Sequence, residues 1–390
     1  MKKKKRNKSP NHDLDTIVPI LIYVWRKLHK IGGGPPDCLQ TREFRSVVSA
    51  LKYLKEGIEH PKGKQFSDRD LLGANILYDW VIHYLEGLSL LSELPERPRR
   101  VLDLCSGTGA FAFSALRHGA GEVHAVDKDE MSLKLAGEIC GRYGEAISVN
   151  KRDILQKDFS VEENFDLIVL AYSLEKLFPS SEKGWVDRQN DFIKKLLESL
   201  SEEGTLLLVE DSWPASNRRI LSLRESALKW GCSVQAPCIW KGNCPALANV
   251  KGQCYAQREL VKPYLIKEIQ RSALFKMNSL KMSYLFLKGP RAKEMNLSSE
   301  RLYRVISSPI ESYGGNRFHL CGVDGAKSLG SHFSKHPKES RAFEFLRRGD
   351  LIAVDNVLED KNRLDIIEGS KVIVKASCGR PVFNSDEKFD

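Results

Sequence analysis

The chain has 390 residues, enough for two or three domains, and its 42% hydrophobic and 29% charged residues are ordinary for a soluble globular protein. Its longest apolar runs are short, such as 17–25 with Pro19 inside it, so the sequence offers no membrane-spanning helix and no membrane partner. The net charge of +10 suits a polyanionic partner, although Lys2, Lys3, Lys4, Lys5, Arg6 and Lys8 supply much of the excess. Residues 1–12 read as a disordered basic tail. Nine cysteines without a signal peptide point to a reducing compartment, read here as the cytoplasm rather than the mitochondrial matrix.

Residues 13–95 read as a helical lead-in. Ile17, Leu21, Val24 and Leu28 recur at helical spacing and predict a helix over 14–30, stopped by the Gly-Gly-Gly-Pro-Pro run at 32–36. Further helices are expected over 41–58 and, without interruption, over 69–91. From 96 to 290 strand and helix alternate. Strands are expected at 101–104, 122–126, 146–149, 165–172, 205–210, 233–236 and 282–287, with helices at 132–143, 188–200 and 216–230. That alternation predicts an α/β domain with a parallel sheet, helices on both faces, and ligand beyond the carboxyl ends of the strands.

The first strand ends in Asp103 and passes through Ser106-Gly107-Thr108-Gly109 into a helix; the second ends in Asp127, eighteen positions after Gly109. Glycines let a ligand approach the backbone at a helix N-terminus, and an acid at the next strand end accepts both ribose hydroxyls. A dinucleotide fingerprint shares this spacing. Asp103 favours a ligand with a cationic amino-acid part, S-adenosylmethionine, and Asp153 with Ile154 follow the third strand where adenine would lie. The pattern resembles the Rossmann-like class I S-adenosylmethionine-dependent methyltransferases, with Cys105 standing where that superfamily usually has glycine. In such proteins the rim after the fourth strand faces the transferred methyl group. Tyr172, Glu175 and Glu210 are the rim candidates, and Tyr172 is counted with the cofactor-binding residues. Neither an Asn-Pro-Pro-Tyr motif nor a Pro-Cys nucleophile appears there, so no catalytic residue is assigned.

About 45 residues separate the last two strands, where a hairpin would suffice. This insertion, 237–281, is expected to be a loop without regular structure. It carries Cys238, Cys244 and Cys254, a set with metal-ligand character, and the fourth ligand comes from Cys321 in Leu320-Cys321-Gly322 or from the nearby Cys232. Together with the methyltransferase core, the Ala-Pro-Cys and Cys-Pro pairs and the Met-Ser-Tyr-Leu strand resemble the methyltransferase-like family of ribosomal small-subunit assembly, over roughly 71–351. The resemblance implies a structural [4Fe-4S] cluster on Cys238, Cys244, Cys254 and Cys321, leaving Cys232 out; spacing alone allows zinc equally. It implies the ribosomal small subunit or its precursor, and rRNA, as partners of a chain expected to be a monomer when free. The function is then an rRNA methyltransferase or, alternatively, a noncatalytic assembly factor that keeps pocket and cluster for binding only. Residues 255–304, with eleven Lys or Arg against four acids and interspersed tyrosines, read as an RNA face. Short strands over 300–380 (302–306, 317–320, 351–357, 364–367 and 371–376) suggest a small β-barrel, possibly of the OB type.

Overall fold

The structure, a computed structural model, describes residues 10–376 except 59–64, 158, 162–163, 251, 291, 293–299 and 313–314. The basic residues before Pro10, Cys378 and the chain end at 384–390 therefore lie outside the described residues.

Helix α1 (Pro10–Leu28) begins inside the stretch expected to be a tail, and α2 (Thr41–Glu56) follows it. The expected continuous third helix is two, α3 (Asp68–Leu77) and α4 (Asp79–Leu91), broken at Tyr78 with φ −125° and ψ −68°. The break has local causes. Tyr78 is buried and its hydroxyl accepts a bond from Gln270, while Asp79 starts the next helix as an N-terminal acid and pairs with Lys55 at 2.6 Å.

Strands and helices then alternate: β1 (Arg100–Leu104), α5 (Ala110–His118), β2 (Glu122–Asp127), α6 (Glu130–Tyr143), β3 (Ser148–Lys151), β4 (Phe165–Ala171), α7 (Leu174–Leu177), α8 (Trp185–Glu198), β5 (Leu200–Asp211), α9 (Pro214–Lys229) and β6 (Ser233–Ala236). The insertion is not an irregular loop. It holds α10 (Pro245–Ala248), β7 (Ala256–Glu259) and α11 (Tyr264–Ala273), and it leads into β8 (Ser279–Lys288). Helix α11 buries Leu265, Ile266 and Ile269 in the main core, so the insertion brings its own apolar face.

The sheet runs β3-β2-β1-β4-β5-β8-β6, with β7 paired to β8 outside that path. β1 to β5 are mutually parallel and β8 is antiparallel to both of its neighbours. Helices α1 to α6 and α11 seal one face through a core that includes Trp80, Phe113, Leu167 and Val209; α8 and α9 seal the other against Leu102, Ile168 and Leu206. Strand order reverses between β1 and β4. In an open α/β sheet such a reversal opens a crevice beyond the carboxyl ends of the two strands.

The C-terminal strands are β9 (Leu302–Val305), β10 (Ile310–Ser312), β11 (Gly315–Gly322), β12 (Gly325–Ser331), β13 (Leu351–Asp360) and β14 (Arg363–Ala376). Pairings β9-β11-β12-β14-β13-β9 close a ring, with β12 and β14 parallel and the other pairs antiparallel. This is a five-stranded barrel of the OB kind. Its last two expected strands are one, continuous past Gly369 at φ 80° and opposite a register shift beside Asn356. The barrel docks on the insertion. Ile239 packs with Leu302 and Ala353, and Arg304 donates to the carbonyls of Pro237 (3.0 Å) and Gly349 (2.7 Å).

Candidate functional site

The crevice at the β1/β4 reversal is lined by four adjacent strand ends. Just past β1 and β4 stand Cys105 and Tyr172, two non-glycine residues in the left-handed region, each at φ 55°. Such backbone carries strain and concentrates at functional sites. Gly107 (φ 51°) and Gly109 (φ 80°) complete the turn into α5; a Cβ on Gly109 would come within 2.8 Å of the Ala136 methyl. The indole N–H of Trp80 donates to the Thr108 carbonyl at 2.9 Å and fixes the turn from the α4 side.

Asp103 is buried, and its Oδ2 accepts the Ala112 N–H at 2.9 Å, inside the first turn of α5. Burial pushes its pKa up to about 8, against that hydrogen bond and with the charge of Asp127 adding to the rise. Asp127 accepts the Gly107 N–H on Oδ2 (2.8 Å) and the Asp129 N–H on Oδ1 (2.9 Å), tying the glycine turn to the end of β2. Each of its oxygens retains a lone pair for a further donor. Asp127 pairs in register with Lys151, so Asp153, bonded to Leu155 N–H at 3.0 Å, and the buried Ile154 follow on the neighbouring strand end. The fold thus assembles Asp103, Gly107, Gly109 and Asp127 as one group with Asp153 and Ile154 alongside.

The rim residues are engaged. Glu210 accepts the N–H groups of Ser173 (3.1 Å) and Leu174 (2.8 Å), and burial pushes its pKa up to about 7. Glu175 accepts from Ser180 and pairs with Arg219. Tyr172 donates to Glu86 Oε2 at 2.6 Å and stacks on His83 with ring centroids 4.2 Å apart at 12°. Glu86 and His83, both on α4, escaped the sequence reading. The signal was there: Asp79, His83 and Glu86 are polar positions at i, i+4 and i+7 within an otherwise apolar helix stripe.

The cysteines converge from distant segments. Cys238 follows β6, Cys244 caps α10, Cys254 precedes β7, and Cys321 lies on β11 beside Arg304. Burial raises the pKa of Cys238, Cys254 and Cys321, the last to about 12; the charges of Cys238, Cys321 and Cys244 add to the rise at Cys254, and those of Cys238 and Cys244 at Cys321. Arg224 and Arg304 oppose it at Cys238 and Cys321. Cys232 sits in the apolar core under α8 and α9, and burial alone acts on it. Helix α9 pins the insertion. Asn217 donates to the Cys254 carbonyl (2.6 Å) and accepts its N–H (3.2 Å); Arg224 donates to the carbonyls of Gly242 (2.6 Å) and Trp240; Glu225 accepts the Cys244 N–H (3.1 Å). The four thiols are thus electrostatic neighbours, yet among the described residues no group of three or more His, Cys, Asp or Glu is arranged to hold a metal ion.

The expected RNA face over 255–304 is partly consumed by folding, with Lys267, Lys276 and Lys281 left exposed and without an ion pair among the described residues. Arg258 and Arg304 are buried, Arg258 paired with Glu93; Lys288 pairs with Glu203, Arg271 with Glu268, and Arg301 with Glu359 and Asp324. Tyr284 and Tyr303 are core residues, and Arg291 and Lys293 lie outside the described residues.

Residues 78–350 match the model of the family described as mitochondrial small ribosomal subunit Rsm22. The chain belongs to that family. The Rsm22 match starts at the α3/α4 break and ends just before β13, so it takes in the pocket, all four cysteines and the first four strands of the C-terminal unit. The chain is also similar to the ribosomal protein L11 methyltransferase of Caldicellulosiruptor saccharolyticus, at 32% identity over 119 residues, covering 26% of this chain and 38% of that protein. The enzyme of the same name from Caldicellulosiruptor bescii is 38% identical over 69 residues, covering 18% of this chain and 22% of that protein. The chain therefore spans less than two fifths of these relatives. Among solved structures, N-methyltransferase NodS from Bradyrhizobium japonicum, in complex with S-adenosyl-L-homocysteine, matches at 17% identity and TM-score 0.36, covering 63% of this chain and 98% of that one. Ribosomal protein L11 methylase from Lactobacillus delbrueckii matches at 16% identity and TM-score 0.31, covering 52% and 76%. The strand order itself carries the fold, that of the class I methyltransferases. No helix among the described residues is long and apolar enough to cross a membrane.

Proposed function

We propose that this Rsm22-family protein binds S-adenosylmethionine at the β1/β4 crevice and acts on the rRNA of the ribosomal small subunit during assembly, as a methyltransferase. The observation that carries the reading is the meeting of Asp103, the 107–109 glycine turn and Asp127 at the strand reversal. Asp103 would receive the methionine ammonium, Gly107 and Gly109 would lie along the methionine backbone, Asp127 would accept the ribose hydroxyls, and Asp153 with Ile154 would flank the adenine. Tyr172 would face the methyl group. The engagement of Glu175, Glu210 and Tyr172 by protein partners favours the second reading, a factor that keeps the pocket for binding only.

Cys238, Cys244, Cys254 and Cys321 would hold a [4Fe-4S] cluster. Four thiolates are the donor set such a cluster takes, and the two buried arginines beside them suit its negative charge. Because the thiols are neighbours without being arranged as ligands, closing on a cluster would fix barrel, insertion and α9 against one another. Zinc is the other metal this donor set accepts. The compartment expected from the sequence is the cytoplasm, whereas the family's description names the mitochondrial ribosome.

Calorimetry and gradient sedimentation test the reading together. S-adenosylmethionine should bind more tightly than NAD, and the protein should travel with small-subunit precursors at low salt. Tighter NAD binding, or protein left at the top of the gradient, defeats it.

A further inference from the structure

With part of the 255–304 face spent on internal pairs, a second group of cations without ion pairs lies on the barrel. The connection between β12 and β13 has five Lys or Arg over 332–348 (Lys335, Lys338, Arg341, Arg347, Arg348) against Glu339 and Glu344. Lys335, Lys338 and Arg341 are exposed and form no ion pair among the described residues. Two phenyl rings stand out of the same segment, Phe345 at 65% exposure and Phe333 at 38%. An exposed phenyl contributes nothing to the barrel core, whereas Phe343, two positions before Phe345, is buried in it.

The segment is held in place. The His336 ring lies between Phe333 (5.6 Å) and Phe343 (4.9 Å), the His336 backbone N–H donates to Glu344 Oε1 at 2.8 Å, and the Val372 N–H of β14 donates to the Glu339 carbonyl at 3.0 Å. Those bonds link the neighbourhoods of both phenyls through one histidine. At its far end Arg348 lies over the Tyr255 ring (4.2 Å) and Arg347 pairs with Glu259 (3.4 Å), which joins the segment to the insertion. Exposed aromatics on a fixed backbone, interleaved with free cations, suit unpaired nucleotides: every base has a face to stack, and each phosphate meets a cation.

We propose that the β12–β13 connection is the protein's contact for single-stranded rRNA, with bases stacking on Phe345 and Phe333 and phosphates meeting Lys335, Lys338 and Arg341. The inference rests on the small-subunit reading and names the surface that serves it.

The test is fluorescence anisotropy of the full chain with a labelled oligouridylate at several salt concentrations. Phe345→Ala, at an exposed position, should keep the melting temperature and weaken binding about five- to a hundredfold, with the salt slope unchanged. The triple variant Lys335→Gln, Lys338→Gln, Arg341→Gln should lower the salt slope by about two. Lys267→Gln with Lys276→Gln, on the insertion, should change neither. If only the insertion variant loses binding, the surface is misassigned while the RNA reading stands. Wild-type protein that sediments with small subunits but leaves the oligouridylate free overturns the inference alone, the contact then being duplex RNA or a ribosomal protein. Protein that does neither takes the small-subunit reading down with it.

Discussion

Glu86→Gln replaces a buried titrating acid with a neutral isostere that still accepts the Tyr172 hydroxyl. In the wild-type chain burial pushes the Glu86 pKa up to about 8 from an ordinary 4.5, against the opposing pull of the Tyr172 hydrogen bond. The unfolded chain releases that proton near 4.5 and the folded chain near 8. Between those limits the folded state holds one more proton, so stability is complete below the window and falls as pH rises through it. The loss is about 1.4 kcal/mol per pH unit, reaching about 4–5 kcal/mol above the folded pKa. Asp103 and Glu210, pushed up to about 8 and about 7, steepen the wild-type profile in the same direction, but they are common to both proteins and cancel in the difference. Urea unfolding at a series of pH values from about 5 to 9 should therefore show the variant gaining on wild type through the window and levelling off beyond it. Parallel profiles would mean that Glu86 is ionised in the native state throughout, and the reasoning from burial would be wrong.

Asp127→Ala removes the acceptor of two backbone N–H groups and of the proposed ribose hydroxyls, and calorimetry should show S-adenosylmethionine affinity reduced about ten- to a hundredfold; unchanged affinity would remove Asp127 from the pocket. Gly109→Ala places a Cβ at φ 80° against Ala136 and should cost about 2–3 kcal/mol in thermal unfolding, a loss absent if the turn relaxes freely. Anaerobic wild-type protein should be brown with about four irons and four sulfides, a colour lost in Cys321→Ser and kept in Cys232→Ser. Colourless protein with bound zinc would correct the metal, and colour persisting in Cys321→Ser would correct the ligand set. Asn217→Ala strips both clamps from the Cys254 backbone and should cost about 1–3 kcal/mol while speeding proteolysis of the insertion; equal cleavage rates would mean that α9 does not hold it.

The central sheet was legible because its strands are short apolar runs between strong turn signals, and its acids sit at fixed offsets from glycines. The insertion was misread for a different reason. Helix α11 is amphipathic, but its partners include α2 and Tyr78, about two hundred residues earlier, so a local window around the cysteines saw loop. The basic face is thinner than its composition for a like reason. Arg258 counts as a surface cation until Glu93, 165 positions away, comes to meet it. The reverse holds at 332–348, where nothing in local spacing distinguishes Phe345, which is exposed, from Phe343, which is buried. The Tyr78 break lies inside an unbroken helical pattern, and only the tertiary partners of Tyr78 and Asp79 reveal it.

The ring of the C-terminal barrel also sets an order of events during synthesis. Strand β11, which carries Cys321, pairs with β9 and β12 soon after it leaves the ribosome, but the free edge of β12 waits for β14, the last described strand, and that of β9 waits for β13. Until then the nascent chain exposes two open edges, the state most prone to pairing with other chains. Residues 238–254 meanwhile emerge earlier and are held on α9 by Asn217, Arg224 and Glu225. Three of the four thiols of the proposed cluster are therefore held before the fourth is offered on a closed barrel, so the proposed site would stay incomplete until β13 and β14 have been made.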